Sequence, residues 1–224
     1  MIFKLKLNLI AKNATRFLQP LVSRATRPIQ VNNMTTNANK CDQNGGKSTH
    51  MVWVDLELTG LDIEKDKILE VSCLITDKHL NIQSKGLAFA INHPQEVYDQ
   101  MNEWCIKHHN ESGLVDSCKK STVTAEAAED LVLTYLKQNI PEKECVLAGN
   151  SVYMDRLFIN KYMPTVNEYL HYRIVDVSTI KELARRWHPH ILEKAPKKTF
   201  AHRSLDDIKE SIAELKFYKE HLFK

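Results

Sequence analysis

The run Met51-Val52-Trp53-Val54-Asp55-Leu56-Glu57-Leu58 places two carboxylates in what otherwise reads as a buried strand. Strand side chains alternate faces, so Asp55 and Glu57 project from one face, two residues apart. Two carboxylates side by side near an apolar core are costly unless a cation neutralises them. The segment therefore predicts a central strand with an acidic face, and a divalent metal as the first hypothesis for what that face holds.

The rest of the chain from residue 51 reads as α/β. Met51–Glu57 is followed by a turn over Thr59-Gly60-Leu61-Asp62, a second strand over Ile68–Thr76, and a third that includes Gly86–Ile91. These three suggest an antiparallel meander. His93–His109 reads as helix. Thr124–Asn139 is an amphipathic helix with Ala127, Leu131 and Tyr135 at spacing four, Val132 and Leu136 beside them, and Thr124 as its cap. Cys145–Gly149 is a short buried strand, and Val152–Met163 a helix ended by Pro164. Ile174–Val177 is a strand leading into a helix through Trp187. Lys194–Phe200 is a basic loop, and Ser204–Leu222 is the closing helix. Three strands followed by alternating helices and strands predict a mixed central sheet flanked by helices.

Residues 1–41 carry seven basic residues and no acidic one. The start, Ile2-Phe3-Lys4-Leu5-Lys6-Leu7-Asn8-Leu9-Ile10, can form a basic amphipathic segment, so residues 1–50 are expected to be a mitochondrial transit peptide and a linker. The bare alternative is a disordered tail without an address. Shorter forms starting at Met34 or Met51 would stay in the cytosol or nucleus. The remaining 24 basic residues face 28 acidic ones, so the body does not grip nucleic acid by bulk charge. Gly45-Gly46-Lys47-Ser48 lacks the leading glycine and preceding strand of a phosphate-binding loop. The five cysteines form no C-x-x-C pair, which argues against a disulfide framework or a zinc site. No run approaches the roughly 20 apolar residues of a membrane span.

Three more positions invite chemistry. Val152, Asp155, Phe158, Ile159 and Tyr162 share one helix face, so Asp155 sits in an apolar stripe. Taken alone, it could simply pair with Arg156 or a nearby lysine. Ser204-x-x-Asp207 has the form of a capping box, which on its own explains Asp207. His202 alone is more often a surface or core histidine than a base. In combination these residues change meaning: an acid pair on a central strand, an acid on a helix face, then His-x-x-x-x-Asp entering the last helix.

The segments Val54-Asp55-Leu56-Glu57-Leu58-Thr59-Gly60-Leu61-Asp62, Ala148-Gly149-Asn150-Ser151-Val152-Tyr153-Met154-Asp155 and His202-Arg203-Ser204-Leu205-Asp206-Asp207-Ile208 resemble the three motifs of the DEDDh 3′→5′ exonucleases. The Leu-Thr-Gly-Leu-Asp and Gly-Asn-Ser forms are similar to the oligoribonuclease branch, including its animal mitochondrial members. The resemblance covers residues 51–224. It implies an RNase H-like exonuclease fold and hydrolysis of short RNA to nucleoside 5′-monophosphates. It further implies that Asp55, Glu57, Asp155 and Asp207 hold two ions, Mg²⁺ or Mn²⁺, as oxygen donors select. His202 would take a proton from the attacking water.

The same resemblance puts Leu61 and Trp104 against the two terminal bases. It puts Ser151 and His109 on the substrate's 5′ phosphate, together with Tyr172 and Arg173 from the partner subunit of a homodimer. The bland reading makes Leu61 and Trp104 core residues and Tyr172-Arg173 a strand edge. Two competing functions share the acids or the fold: a trimming or proofreading exonuclease on longer DNA or RNA, and a non-catalytic RNA-binding domain. The presence of all five catalytic residues argues against the last.

Overall fold

The computed structural model describes residues 48–197 and 204–223. His202 and the whole of the basic segment 1–41 lie outside the described residues. Among the described residues, five strands form one sheet: β1 Met51–Leu58, β2 Ile68–Thr76, β3 Leu87–Ala90, β4 Val146–Gly149 and β5 Ile174–Asp176. Their order is β3-β2-β1-β4-β5. β2 pairs antiparallel with both β1 and β3, whereas β4 runs parallel to β1, and β5 to β4. The helices are α1 Gln95–Asp99, α2 Glu103–Glu111, α3 Leu114–Lys120, α4 Ala125–Asn139, α5 Val152–Tyr162, α6 Pro164–Tyr169, α7 Val177–Trp187, α8 Pro189–Leu192 and α9 Ser204–Leu222. This is the expected mixed sheet, with β1 at its centre.

Alternation along β1 sorts its side chains into two layers. Val52, Val54, Leu56 and Leu58 face a core shared with Val132 and Leu136 of α4, Phe158 and Ile159 of α5, and Val166 of α6. Trp53 points the other way, into a cluster with Val177 and Ala184 of α7 and Ile208, Ile212, Leu215 and Tyr218 of α9. Asp55 and Glu57 continue the Trp53 face, because side chains two apart share a face. The register between β1 and β2 slips after Glu57, so that Glu57 opposes Glu70 and Leu58 opposes Ile68. Leu69 is the extra residue of this bulge, and it packs with Tyr98, Met101, Cys105, Leu114, Val115 and Cys118 of the α1–α3 region.

Two helix expectations need correction. His93–His109 is not one helix: α1 stops at Asp99 and α2 begins at Glu103. Asn102 restarts the helix by accepting the Cys105 N–H on its side-chain oxygen at 3.0 Å, as a capping residue does. In α4 the Thr124 cap is present, with Oγ1 accepting from Ala127 N at 3.2 Å. Its buried face, however, is Ala128, Val132, Tyr135 and Leu136, and Leu131 is exposed. Pro164 ends α5 as expected and then serves as the first residue of α6, where its missing N–H has no partner to lose.

Cys73, Cys105, Cys118 and Cys145 are free and buried. Burial pushes the Cys105 thiol up to about 11 and the Cys118 thiol to about 12. Thiols held protonated this way are poor nucleophiles and poor metal ligands. Among the described residues, no helix is long and apolar enough to cross a membrane.

Candidate active site

β4 runs beside β1 only from Met51 to Trp53. Beyond that point the β4 edge of β1 is open, and α5 closes over it. Gly149 makes the approach possible: a Cβ there would stand 2.9 Å from the Val54 carbonyl oxygen. Ser151 then adopts the left-handed conformation, φ 54° and ψ 33°. Its N–H donates to Asp176 Oδ1 at 3.0 Å, which holds a backbone shape that non-glycine residues rarely take. Four residues on, Asp155 is 3% exposed. Its Oδ1 accepts the backbone N–H of Leu56 at 3.0 Å. Asp155 therefore clasps the one residue between Asp55 and Glu57. The Arg156 guanidinium is engaged by the carbonyls of His171 and Asn167, at 3.1 and 3.3 Å.

α9 crosses the opposite layer and brings Asp207 to the strand. Asp55, Glu57 and Asp207 are each half-buried, and each offers a carboxylate oxygen within 4.8 Å of the others. Asp155 is not one of this close set of three. Glu70, directly across from Glu57 on β2, adds another acid to the same face. Like charges opposite one another repel, and a cation between them would relieve the repulsion. Three carboxylates with no nitrogen or sulfur donor in the set suit a hard divalent ion, so the residues present fit Mg²⁺ or Mn²⁺.

Beside the acids lies a cavity of about 440 Å³. Glu57, Glu70 and Ala88 form its floor, and Trp104, His108 and His109 of α2, with Ser112 just past its end, one wall. Leu205, Asp206 and Lys209 of α9 border it, and Lys209 Nζ donates to Asp206 Oδ1 at 2.9 Å. Its volume is within the range of small-ligand sites, roughly 300–1,000 Å³. The Trp104 and His108 rings lie 4.2 Å apart, tilted by 45°, which offers an aromatic platform on that wall. His109 is buried, and its Nε2 donates to the Leu58 carbonyl at 2.9 Å. That bond fixes its tautomer and ties α2 to the end of β1.

Other expected residues lie elsewhere. Leu61 is half-buried against the α4–α6 core, in a loop braced by Asp66. Asp66 accepts from Thr59 Oγ1 at 2.8 Å and from Asp62 N–H at 2.7 Å. A Cβ on Gly60 would meet its Oδ2 at 2.3 Å, so the clasp needs a glycine there. Ser151 Oγ donates to Ser178 Oγ at 3.1 Å. Tyr172 is 72% exposed, stacks on His171 at 4.5 Å, and lies beneath the Arg173 guanidinium at 5.2 Å. Neither Tyr172 nor Arg173 lines the cavity. Sequence reasoning missed Glu70, Asp66 and Ser178. Glu70 did leave a signal, as the lone acid in the apolar strand Ile-Leu-Glu-Val-Ser-Cys-Leu-Ile-Thr.

Comparisons with known proteins identify the family. The exonuclease family model of the RNase T type matches residues 52–215. The chain is 70% identical over 179 residues to a probable oligoribonuclease of Drosophila melanogaster, covering 80% of this chain and 85% of that one. It is 55% identical over 174 residues to the mitochondrial oligoribonuclease of Homo sapiens, covering 78% and 73% respectively. Among solved structures, zinc-bound E. coli exonuclease I in complex with single-stranded DNA aligns with a TM-score of 0.63 at 13% identity. That alignment covers 79% of this chain but 41% of the exonuclease I chain, and it speaks for the fold alone. The acid pair on β1, the acids on α5 and α9, the fold and the relatives converge: the chain belongs to the oligoribonuclease branch of the exonuclease family.

Proposed function

We propose that this chain is a metal-dependent 3′→5′ exoribonuclease that hydrolyses short oligoribonucleotides, diribonucleotides above all, to nucleoside 5′-monophosphates. The observation that carries the reading is the set Asp55, Glu57 and Asp207 within 4.8 Å of one another, at the edge of a cavity walled by Trp104. Asp55, Glu57, Asp207 and Asp155 would hold two ions, Mg²⁺ or Mn²⁺, which when bound polarise the phosphoryl group and stabilise the attacking and leaving oxygens. The strand and the two helices supply that set already assembled, so little reorganisation accompanies the reaction. Trp104 stacks on a terminal base, a contact of about 1–3 kcal/mol that tolerates any base. Leu61, held by the Asp66 clasp, packs against the neighbouring base. His202 removes the proton of the attacking water, a task to which an imidazole is suited. The test is a length series of 5′-labelled RNA from two nucleotides upward, with and without Mg²⁺. Turnover that falls with length and needs the metal supports the reading, whereas turnover that rises with length makes the chain a trimming nuclease.

The chain acts as a homodimer in this reading, with Tyr172 and Arg173 reaching the active site of the partner subunit. Their exposure, and their position outside the cavity of their own chain, support it. There they meet Ser151 and His109 around the substrate's 5′ phosphate. An arginine–phosphate pair is charge-assisted and can be bidentate. A two-nucleotide substrate offers few phosphates, so one such contact is a large share of its binding. Arg173→Ala is expected to impair cleavage of diribonucleotides far more than attack on longer RNA, which cannot place a terminal phosphate there. Mixing Arg173→Ala subunits with Asp55→Asn subunits is expected to restore part of the activity, through heterodimers with one intact centre and one intact cap. No recovery on mixing would remove the shared site.

The protein works in mitochondria in this reading, with residues 1–50 as transit peptide and linker and residues 51–224 as the exonuclease domain. The acid-free basic segment 1–41 supports it, as does the 55% identity to a relative named mitochondrial. Import into the matrix or the intermembrane space would then be followed by removal of the basic segment.

A further inference from the structure

A second polar cluster lies one to two helical turns beyond Asp207 along α9. Glu214 of α9 is 2% exposed. Its Oε1 accepts from Lys181 Nζ at 2.9 Å and from the Tyr218 hydroxyl at 3.0 Å, and its Oε2 accepts from Asn150 Nδ2 at 3.2 Å. The same Asn150 Nδ2 donates to Ser211 Oγ at 3.0 Å, and Ser211 Oγ donates to the Asp207 carbonyl at 2.9 Å. On its other side, Asn150 Oδ1 accepts from Ser178 Oγ at 3.4 Å, and Ser178 Oγ accepts from Ser151 Oγ at 3.1 Å. Both donor hydrogens of the Asn150 amide are therefore used, and its acceptor faces α7.

The location gives this cluster its meaning. Asn150 stands between Gly149, the end of β4, and Ser151, which launches α5 and so sets where Asp155 falls. Glu214 and Ser211 lie on α9, the helix that carries Asp207. One asparagine side chain thus joins the launch of one acid-bearing helix to the body of another. Apolar packing alone holds a helix against a sheet, but it is not directional. Hydrogen bonds are directional, and buried networks specify one arrangement. A buried carboxylate is a poor choice for stability alone, because a well-packed apolar residue usually serves as well or better.

We infer that Asn150 and Glu214 are a positioning pair: they lock α9 to the start of α5 and thereby set the spacing of Asp155 and Asp207. The inference rests on the metal-dependent reading above. Neither residue lines the cavity or belongs to the set of three clustered acids. They act through the acids, as outer-shell partners of metal ligands do, where substitution typically weakens metal affinity or activity by about 10–100-fold.

The test measures Mn²⁺ binding to the full chain by electron paramagnetic resonance, in the absence of substrate. Asn150→Ala is expected to weaken Mn²⁺ binding by about 10-fold or more, and to lower kcat on a diribonucleotide while leaving KM unchanged. Glu214→Gln keeps the volume and an acceptor for Lys181 and Tyr218, but sets an amide against the Asn150 amide. It is expected to weaken Mn²⁺ in the same direction, and it stands in should Asn150→Ala fail to fold. Val132→Ala, in the core on the other face of the sheet, controls for lost stability and is expected to bind Mn²⁺ like the parent. Parent-like Mn²⁺ affinity in folded Asn150→Ala and Glu214→Gln would overturn the inference alone, as would an equal loss in Val132→Ala. A parent chain that binds no Mn²⁺ would overturn the metal reading itself, and the inference with it.

Discussion

Asp155→Asn is expected to lose at least about 10²-fold in turnover while melting at the parent temperature. Asparagine keeps the volume of the side chain and a carbonyl oxygen that can accept the Leu56 N–H, as Asp155 Oδ1 does at 3.0 Å. The charge is lost, and one acceptor oxygen becomes an NH2 donor. The substitution therefore separates two roles. If Asp155 served solely to clasp β1, asparagine would do the same and activity would survive. If its charge helps to hold the ions, activity falls although the clasp persists. Asp155→Ala is the companion, because it removes both. It leaves a buried N–H without this partner, a loss of about 1–3 kcal/mol in stability. Parent-like turnover by folded Asp155→Asn in Mg²⁺ would sink the ligand role.

Trp53→Ala is expected to be the most destabilising single change near the site, by about 3–5 kcal/mol. Trp53 is fully buried between β1 and α9, and its Nε1 donates to Thr76 Oγ1 at 2.9 Å. Alanine leaves a cavity under α9 and strips the buried Thr76 hydroxyl of that donor. For a domain of this size the change converts to a fall in Tm of roughly 6–20 °C. Activity at 25 °C is expected to fall as well, because α9 carries Asp207 and rests on that indole. Trp53→Phe refills most of the space and lacks only the N–H, so it should lie between parent and alanine. A shift of Tm below about 3 °C for the alanine variant would place the chief stabilising contacts of this layer elsewhere.

What the sequence disclosed followed from periodicity. The alternation in β1 placed Asp55 and Glu57 on one face, and they do share it with Asp207. The helical spacing around Asp155 placed an acid among Val152, Phe158 and Ile159, and all four are buried. What stayed hidden depended on tertiary register. Glu70 opposes Glu57 through the pairing register of β1 with β2, which runs unbroken from Met51–Thr76 to Glu57–Glu70, and no local pattern encodes that register. The break before α2 rests on one asparagine side chain turned onto a backbone N–H. The exposure of Leu131 follows from where α4 is rotated on the sheet, which spacing alone does not determine. Trp104 as a cavity wall came from the family resemblance, not from the residues around it. His202 lies outside the described residues, and its role as base stands as a proposal.

The wide separation of the acids along the chain has a consequence for synthesis. β1 finds β2 across only 10–25 residues of sequence, but its parallel neighbour β4 lies 95 residues later, and α9 comes later still. A chain emerging from the ribosome at roughly 5–20 residues per second can form the hairpin of β1 and β2 within its first moments. The strand would then wait several seconds for the helix that carries Asp207. Until that helix docks, the growing polypeptide carries Asp55, Glu57 and Asp155 but lacks Asp207. The order of elements thus delays hydrolytic competence until translation is nearly finished, because α9 is the last element of the chain.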